Sequence, residues 1–240
     1  FAEGQFLVGI SLDGPASLHD RYRVDTAGAA THARALQGAE ILKKHGVPYN
    51  ILCVVTQQIA AAPDTVFDAL APHGYLQFIP CLDALDGQPG EFSLQPEAYG
   101  QFLVRTFDRY EDAWRSGRPV SIRAFDNWVG MLLGQPPESC GMSGRCGHYY
   151  VIEADGSVYP CDFYVLDEWR LGNINDASFF KMANSLLGAE FRRLSIPLPE
   201  SCRACPYLAL CRGGCRRERE PFVGTAPGSN RLCAGARLFF

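Results

Sequence analysis

No stretch of this 240-residue chain reaches the roughly 18 apolar residues needed to cross a bilayer, and no charged segment leads into a short apolar one as in an export signal. No membrane partner is expected, and the chain reads as cytoplasmic. Positive charge is in deficit, with 22 Lys and Arg against 26 Asp and Glu and a formal net charge of -4. A nucleic-acid partner usually needs a basic face, so that class is set aside. Cysteine is nearly missing from residues 1–135, which hold only Cys53 and Cys81. A start methionine is also missing: FAEGQ runs straight into an apolar segment, which reads as a piece of something longer.

What is present suffices for a sizeable core, since 47% of the residues are hydrophobic. Phe6 to Leu12 is an apolar run ending in the turn signal Asp13-Gly14-Pro15, and it predicts a buried strand. A helical pattern over 31–45 stops at Gly46-Val47-Pro48 before a second strand over 49–56. A helix over 63–70 and a strand over 75–81 repeat the alternation. Three strands alternating with two helices imply a parallel sheet with right-handed crossovers; three cannot close a barrel but could be half of one, and in such folds the chemistry sits at the carboxyl ends of the strands. Further helices are expected within 96–116 and 124–133. A β-hairpin over 149–159, turning at Asp155-Gly156, sets Cys146 and Cys161 at its open end.

The other eight cysteines crowd between Cys140 and Cys233. Cys202, Cys205, Cys211 and Cys215 are separated by two, five and three residues. Thiolates so spaced on short turns can converge on one inorganic core, and soft sulfur suits iron. Eight would fill two four-cysteine sites. Disulfides are disfavoured in a chain with ample core and no export signal. Structural zinc is the stronger rival, because Cys202-x2-Cys205 is a knuckle-like pair. The basic run Arg212, Arg216, Arg217 and Arg219 is interleaved with Glu218 and Glu220, which predicts a solvated or cluster-adjacent face.

These residues carry a resemblance, from Cys140-Gly-Met-Ser-Gly-Arg-Cys146 through DGSVYPCDFY to CRACPYLALCRGGCRRERE and Cys233. The chain resembles the SPASM domain of radical SAM enzymes, most closely the anaerobic sulfatase-maturating enzymes. The similarity continues upstream through GISLDGP, YNILCVVT, QFIPCLD, IRAFDN and MLLGQPPESCGM. It implies an α/β chain: residues 1–135 as the later part of a partial (β/α)6 radical SAM barrel with linking helices, and residues 136–240 as a cysteine-rich α+β SPASM domain with a β-hairpin and cluster-binding loops.

Carried over by position, the resemblance gives one auxiliary [4Fe-4S] cluster to Cys140, Cys146, Cys161 and Cys215, and a second to Cys202, Cys205, Cys211 and Cys233. Full protein ligation suits electron transfer, and loss of the clusters is expected to unfold this half. Asp162, directly after Cys161, matches the proposed general base; beside an anionic cluster and partly buried, its carboxyl would titrate high. Ser11 and Asp13 match residues on the S-adenosylmethionine ribose, and Arg23 is a candidate for the methionyl carboxylate. Gln77 and Cys81 flank a strand end and could touch a ligand, although Cys81 and Cys53 also read as small buried hydrophobes. Asp126 and Asn127 read equally as peptide contacts or helix caps.

The chain departs from the family in having no Cys-x3-Cys-x2-Cys, the motif of the radical-generating [4Fe-4S] cluster, which is expected upstream. The implied activity of the full-length protein is radical SAM oxidation of a Cys or Ser in a sulfatase polypeptide to Cα-formylglycine, with flavodoxin or ferredoxin as electron donor. Another SPASM-type peptide-modifying enzyme, or a non-catalytic zinc-binding interaction module, remains the alternative.

Overall fold

The structure, a computed structural model, describes residues 1–222 and 228–240. They form two compact units: Phe1–Ala84 with Gln88–Gly130 and Leu232–Phe240, and Leu85–Gly87 with Met131–Arg231.

In the first unit β1 (Val8–Ser11), β2 (Tyr49–Val55), β3 (Tyr75–Pro80) and β4 (Ser121–Ile122) form one parallel sheet in chain order. Register places Ile10 opposite Ile51, Ile51 opposite Leu76 and Leu76 opposite Ile122. Helices His32–Lys44, Pro63–Leu70 and Pro96–Arg115 make the crossovers, the arrangement expected of part of a (β/α) barrel. β2 shows why: Ile51, Cys53 and Val55 are buried with a period of two. Val66, Phe67 and Leu70 from one helix, and Phe102 and Leu103 from the next, join the same core.

Two sequence expectations differ here. Phe6 and Leu7 are exposed and precede β1, because pairing starts only where β2 offers a partner, at Val8 opposite Tyr49. The fourth strand, β4, has no counterpart in the sequence pattern, since two residues carry no periodicity.

The C-terminal helix Cys233–Phe239 packs on Pro96–Arg115 through a glycine pair. A β-carbon on Gly235 would stand 2.9 Å from the Gly100 nitrogen and overlap the Pro96 carbonyl oxygen. Phe239 closes the contact against Phe107, Phe125 and Trp128, with ring centroids 5.7, 5.7 and 5.1 Å away.

The second unit holds the expected hairpin, β5 (Val151–Ile152) and β6 (Ser157–Tyr159), and a third antiparallel strand, β7 (Gly172–Asn173), on β6. Asp155 shapes the turn by accepting from the Ser157 amide and hydroxyl at 2.9 and 2.8 Å, and Gly156 takes φ 83°. Short helices carry the cysteine loops. Cys140–Ser143 is capped by Ser139 and Leu186–Arg193 by Ser185, while Glu200–Arg203 and Leu208–Cys211 hold Cys202 and Cys211. Among the described residues no helix is long and apolar enough to cross a membrane.

Candidate functional site

At the carboxyl end of β1, Asp13 is 8% exposed and Ser11 lies open to solvent. Asp13 accepts from the Val54 amide of β2 at 2.8 Å, and Arg23 grips it from Nε and Nη2 at 2.5 and 3.4 Å. Two candidates for the same cofactor are therefore paired with each other. The Asp13 amide donates to Nδ1 of buried His19 at 3.1 Å, His19 Nε2 faces Thr31 Oγ1 at 3.1 Å, and Thr31 donates to the Arg23 carbonyl at 2.6 Å. This closes a ring of donors with one consistent tautomer: Nδ1 accepts, Nε2 carries the proton, and the imidazole is neutral. Burial pushes the His19 pKa down, which suits that state. Sequence reasoning singles out neither His19 nor Thr31; the only signal is a histidine shortly after the Asp-Gly-Pro turn.

At the adjoining strand ends Arg123 Nη1 donates to Gln77 Oε1 at 3.1 Å. Asp126 accepts from the Tyr110 and Ser121 hydroxyls at 2.7 and 2.5 Å, and Asn127 donates to the Arg123 carbonyl. Asp126 thus ties helix Arg123–Leu132 to helix Pro96–Arg115 and to β4, while Asn127 bonds back within its own helix. Cys53 is fully buried with its thiol pushed well up by desolvation, as befits a small hydrophobe.

In the second unit four thiols group together. Cys140, Cys146 and Cys215 lie within electrostatic reach of one another, and Cys161 within reach of Cys146. A β-carbon on Gly141 would lie 3.5 Å from the Cys215 β-carbon. Burial pushes the thiols of Cys146, Cys161 and Cys215 up, Cys161 to about 12. Among the described residues no cysteine is joined in a disulfide. Among the described residues no three His, Cys, Asp or Glu side chains are close enough to hold a single ion, so the grouping is a loose one. Cys202 and Cys205 sit one turn apart, with the Cys205 amide on the Cys202 carbonyl at 3.1 Å; Cys211 ends its own helix, and Cys233 opens the C-terminal helix of the first unit.

The SPASM iron-sulfur cluster-binding family matches residues 140–206. A cysteine-type anaerobic sulfatase-maturating enzyme of Clostridium perfringens is 42% identical over all of this chain and 66% of its own length. A serine-type enzyme of Bacteroides thetaiotaomicron is 34% identical over all of this chain and 62% of its own. The solved structure of anSMEcpe with bound AdoMet and Cp18Cys peptide superposes with a TM-score of 0.93 at 42% identity, covering all of this chain and 67% of that one. The chain belongs to the anaerobic sulfatase-maturating enzyme family. It spans about two thirds of the length of these relatives, matching their C-terminal part.

Within that family the four-thiol group has the donor chemistry an iron-sulfur cluster needs, since thiolates are its usual ligands. Buried neutral thiols must lose protons to ligate, so assembly would release them. Asp162 differs from expectation: its carboxylate is exposed rather than partly buried, and it accepts a weak hydrogen bond from Cys161 Sγ at 3.2 Å. The turn Asp162–Tyr164 points it away from the apolar side, which Tyr164 fills instead. The arginine run is not the solvated face that is one of its two readings. Arg216, Arg217 and Arg219 are buried, because aromatic rings and backbone carbonyls enclose the guanidinium groups of Arg216 and Arg219. Their closeness to the cysteines in sequence is the available signal.

Proposed function

We propose that the full-length protein oxidises a Cys or Ser residue of a sulfatase polypeptide to Cα-formylglycine, with this chain supplying the substrate-side residues and the auxiliary iron-sulfur ligands. The observation that carries this reading is the match along the whole chain to cysteine-type and serine-type sulfatase-maturating enzymes, supported by the four-thiol group in the second unit. Cys140, Cys146, Cys161 and Cys215 would hold one [4Fe-4S] cluster, and Cys202, Cys205, Cys211 and Cys233 a second. When bound, the clusters supply one-electron transfer, and S-adenosylmethionine with the radical-generating cluster of the full-length protein supplies hydrogen abstraction.

The chain's own residues bind and move protons. Ser11 and Asp13 would face the ribose of S-adenosylmethionine. Arg23 would take its carboxylate, and a guanidinium with five donors can hold Asp13 and a ligand together. Asp162, exposed beside Cys161, can accept the proton of the target thiol or hydroxyl. A flavodoxin or ferredoxin would return electrons.

The test is the full-length enzyme, purified without oxygen, incubated with reductant, S-adenosylmethionine and peptides carrying the target Cys or Ser. An aldehyde captured by hydrazine on either peptide supports the reading; its absence from both, with iron fully loaded, ends it. Asp162→Asn is expected to slow turnover by roughly 10²–10⁴-fold with iron content unchanged.

A further inference from the structure

We propose that Arg216 and Arg219 are buried counter-charges of the iron-sulfur centre on Cys140, Cys146, Cys161 and Cys215, and that they raise its reduction potential. This rests on reading those four cysteines as cluster ligands.

Arg216 is 5% exposed and Arg219 1%. A guanidinium stays charged when buried, so it persists only where opposite charge or aimed dipoles replace water. Around Arg216 stand the rings of Phe191, Tyr164, Trp169 and Phe222, with centroids at 4.4, 4.7, 5.0 and 5.2 Å, and the Phe191 carbonyl at 3.0 Å. The carboxylate of Glu220 is 3.9 Å away and already accepts from the Tyr164 hydroxyl and the Phe222 amide. Arg219 donates to the carbonyls of Pro197 and Ser195 at 3.0 and 2.7 Å. The Nε of each arginine is buried with no hydrogen-bond partner among the described residues. Neutral dipoles therefore do much of the solvation, shared with the carboxylates of Glu220 and of Glu218, which accepts from the Cys215 amide at 3.1 Å.

The same spot is tied to the cysteines. Arg216 follows Cys215 in the chain. Arg219 holds Ser195, whose hydroxyl accepts from the Cys146 amide at 2.8 Å. Ser195 is fully buried, so Arg219, Ser195 and Cys146 form one rigid relay. An iron-sulfur centre with four thiolates is anionic, and its reduction adds one electron and no proton. Fixed cations in a water-poor interior stabilise the more negative state more than the less negative one. The centre becomes a better acceptor for the electron left on the oxidised substrate. The alternative role is packing alone, with the arginines as plugs between rings.

The experiment is an EPR-monitored reductive titration with dithionite on the reconstituted full-length holoenzyme, with iron counted per chain. Arg219→Met and Arg216→Met are expected to lower one midpoint potential and leave any other unchanged, at undiminished iron. Arg219→Lys, which keeps the charge, is expected to hold the midpoint near that of the parent. Full iron with unmoved midpoints in both Met variants overturns the proposal, as does a Lys variant shifted as far as Met. Should the Met variants fail to load iron, Arg219→Lys decides: loading at the parent midpoint supports the charge role, and failure overturns it. Failure of the underlying reading is distinguishable, because Cys215→Ala would then retain all of the iron.

Discussion

Gly144 meets Arg212 backbone to backbone: a β-carbon on Gly144 would overlap the Arg212 carbonyl oxygen. Gly144 sits at φ 69° and Arg212 at φ 52°, both left-handed. The loop between Cys140 and Cys146 thereby touches the turn that follows Cys211. Gly144→Ala is expected to cost about 1–3 kcal/mol from the clash and to lower iron per chain. Gly147, beside Cys146, has open space around its missing β-carbon, so Gly147→Ala serves as the control. Equal urea midpoints and iron contents for the two variants would sink the idea.

The glycine pair Gly100 and Gly235 gives a second contrast. Gly235→Ala is expected to push the C-terminal helix away and destabilise by about 1–3 kcal/mol, as overpacking does. Gly38 lies inside helix His32–Lys44, and a methyl group there would meet nothing within 4 Å. Its replacement by Ala should stabilise by roughly 0.5–1 kcal/mol. Opposite shifts in melting temperature check both.

Asp64 is held below the ordinary carboxylate range by hydrogen bonds from Arg105 and Arg109, at 3.0 and 2.9 Å. A lowered native pKa means stability that is present above the unfolded value of 3.8 and lost as pH falls through the native one. Urea midpoints below about pH 4 should fall less steeply in Asp64→Asn than in the parent.

His19 works in a different window. Burial lowers its pKa, so the unfolded chain takes up a proton first. The stability it confers is complete above 6.5 and declines as pH drops below that value toward the native one. His19→Ala strands the Asp13 amide and should cost about 1–3 kcal/mol at neutral pH. It should also flatten the stability profile below 6.5; an unchanged slope would refute the neutral-imidazole ring.

The parallel sheet is legible in the sequence because β2 and β3 carry enough consecutive residues for their burial to register as a pattern. Val8 to Ser11 is legible only in part: the apolar run starts at Phe6, but hydrogen bonding starts where the neighbour does. β4 and β7, with two residues each, owe their existence to neighbouring strands. The cysteines are readable from spacing and resemblance, since both are local. The exposure of Asp162 and the burial of Arg216 and Arg219 are not, because a short turn and a ring of distant aromatics decide them. The same holds for the His19 to Thr31 contact, twelve residues apart.

Cys233 is presented by a helix that docks through glycine contact and aromatic stacking within the first unit. A thiol so placed loses its conformational freedom when the polypeptide folds rather than when iron arrives. As a proposed ligand it would thus be pre-organised, whereas thiols on irregular loops must still be ordered by the cofactor they bind.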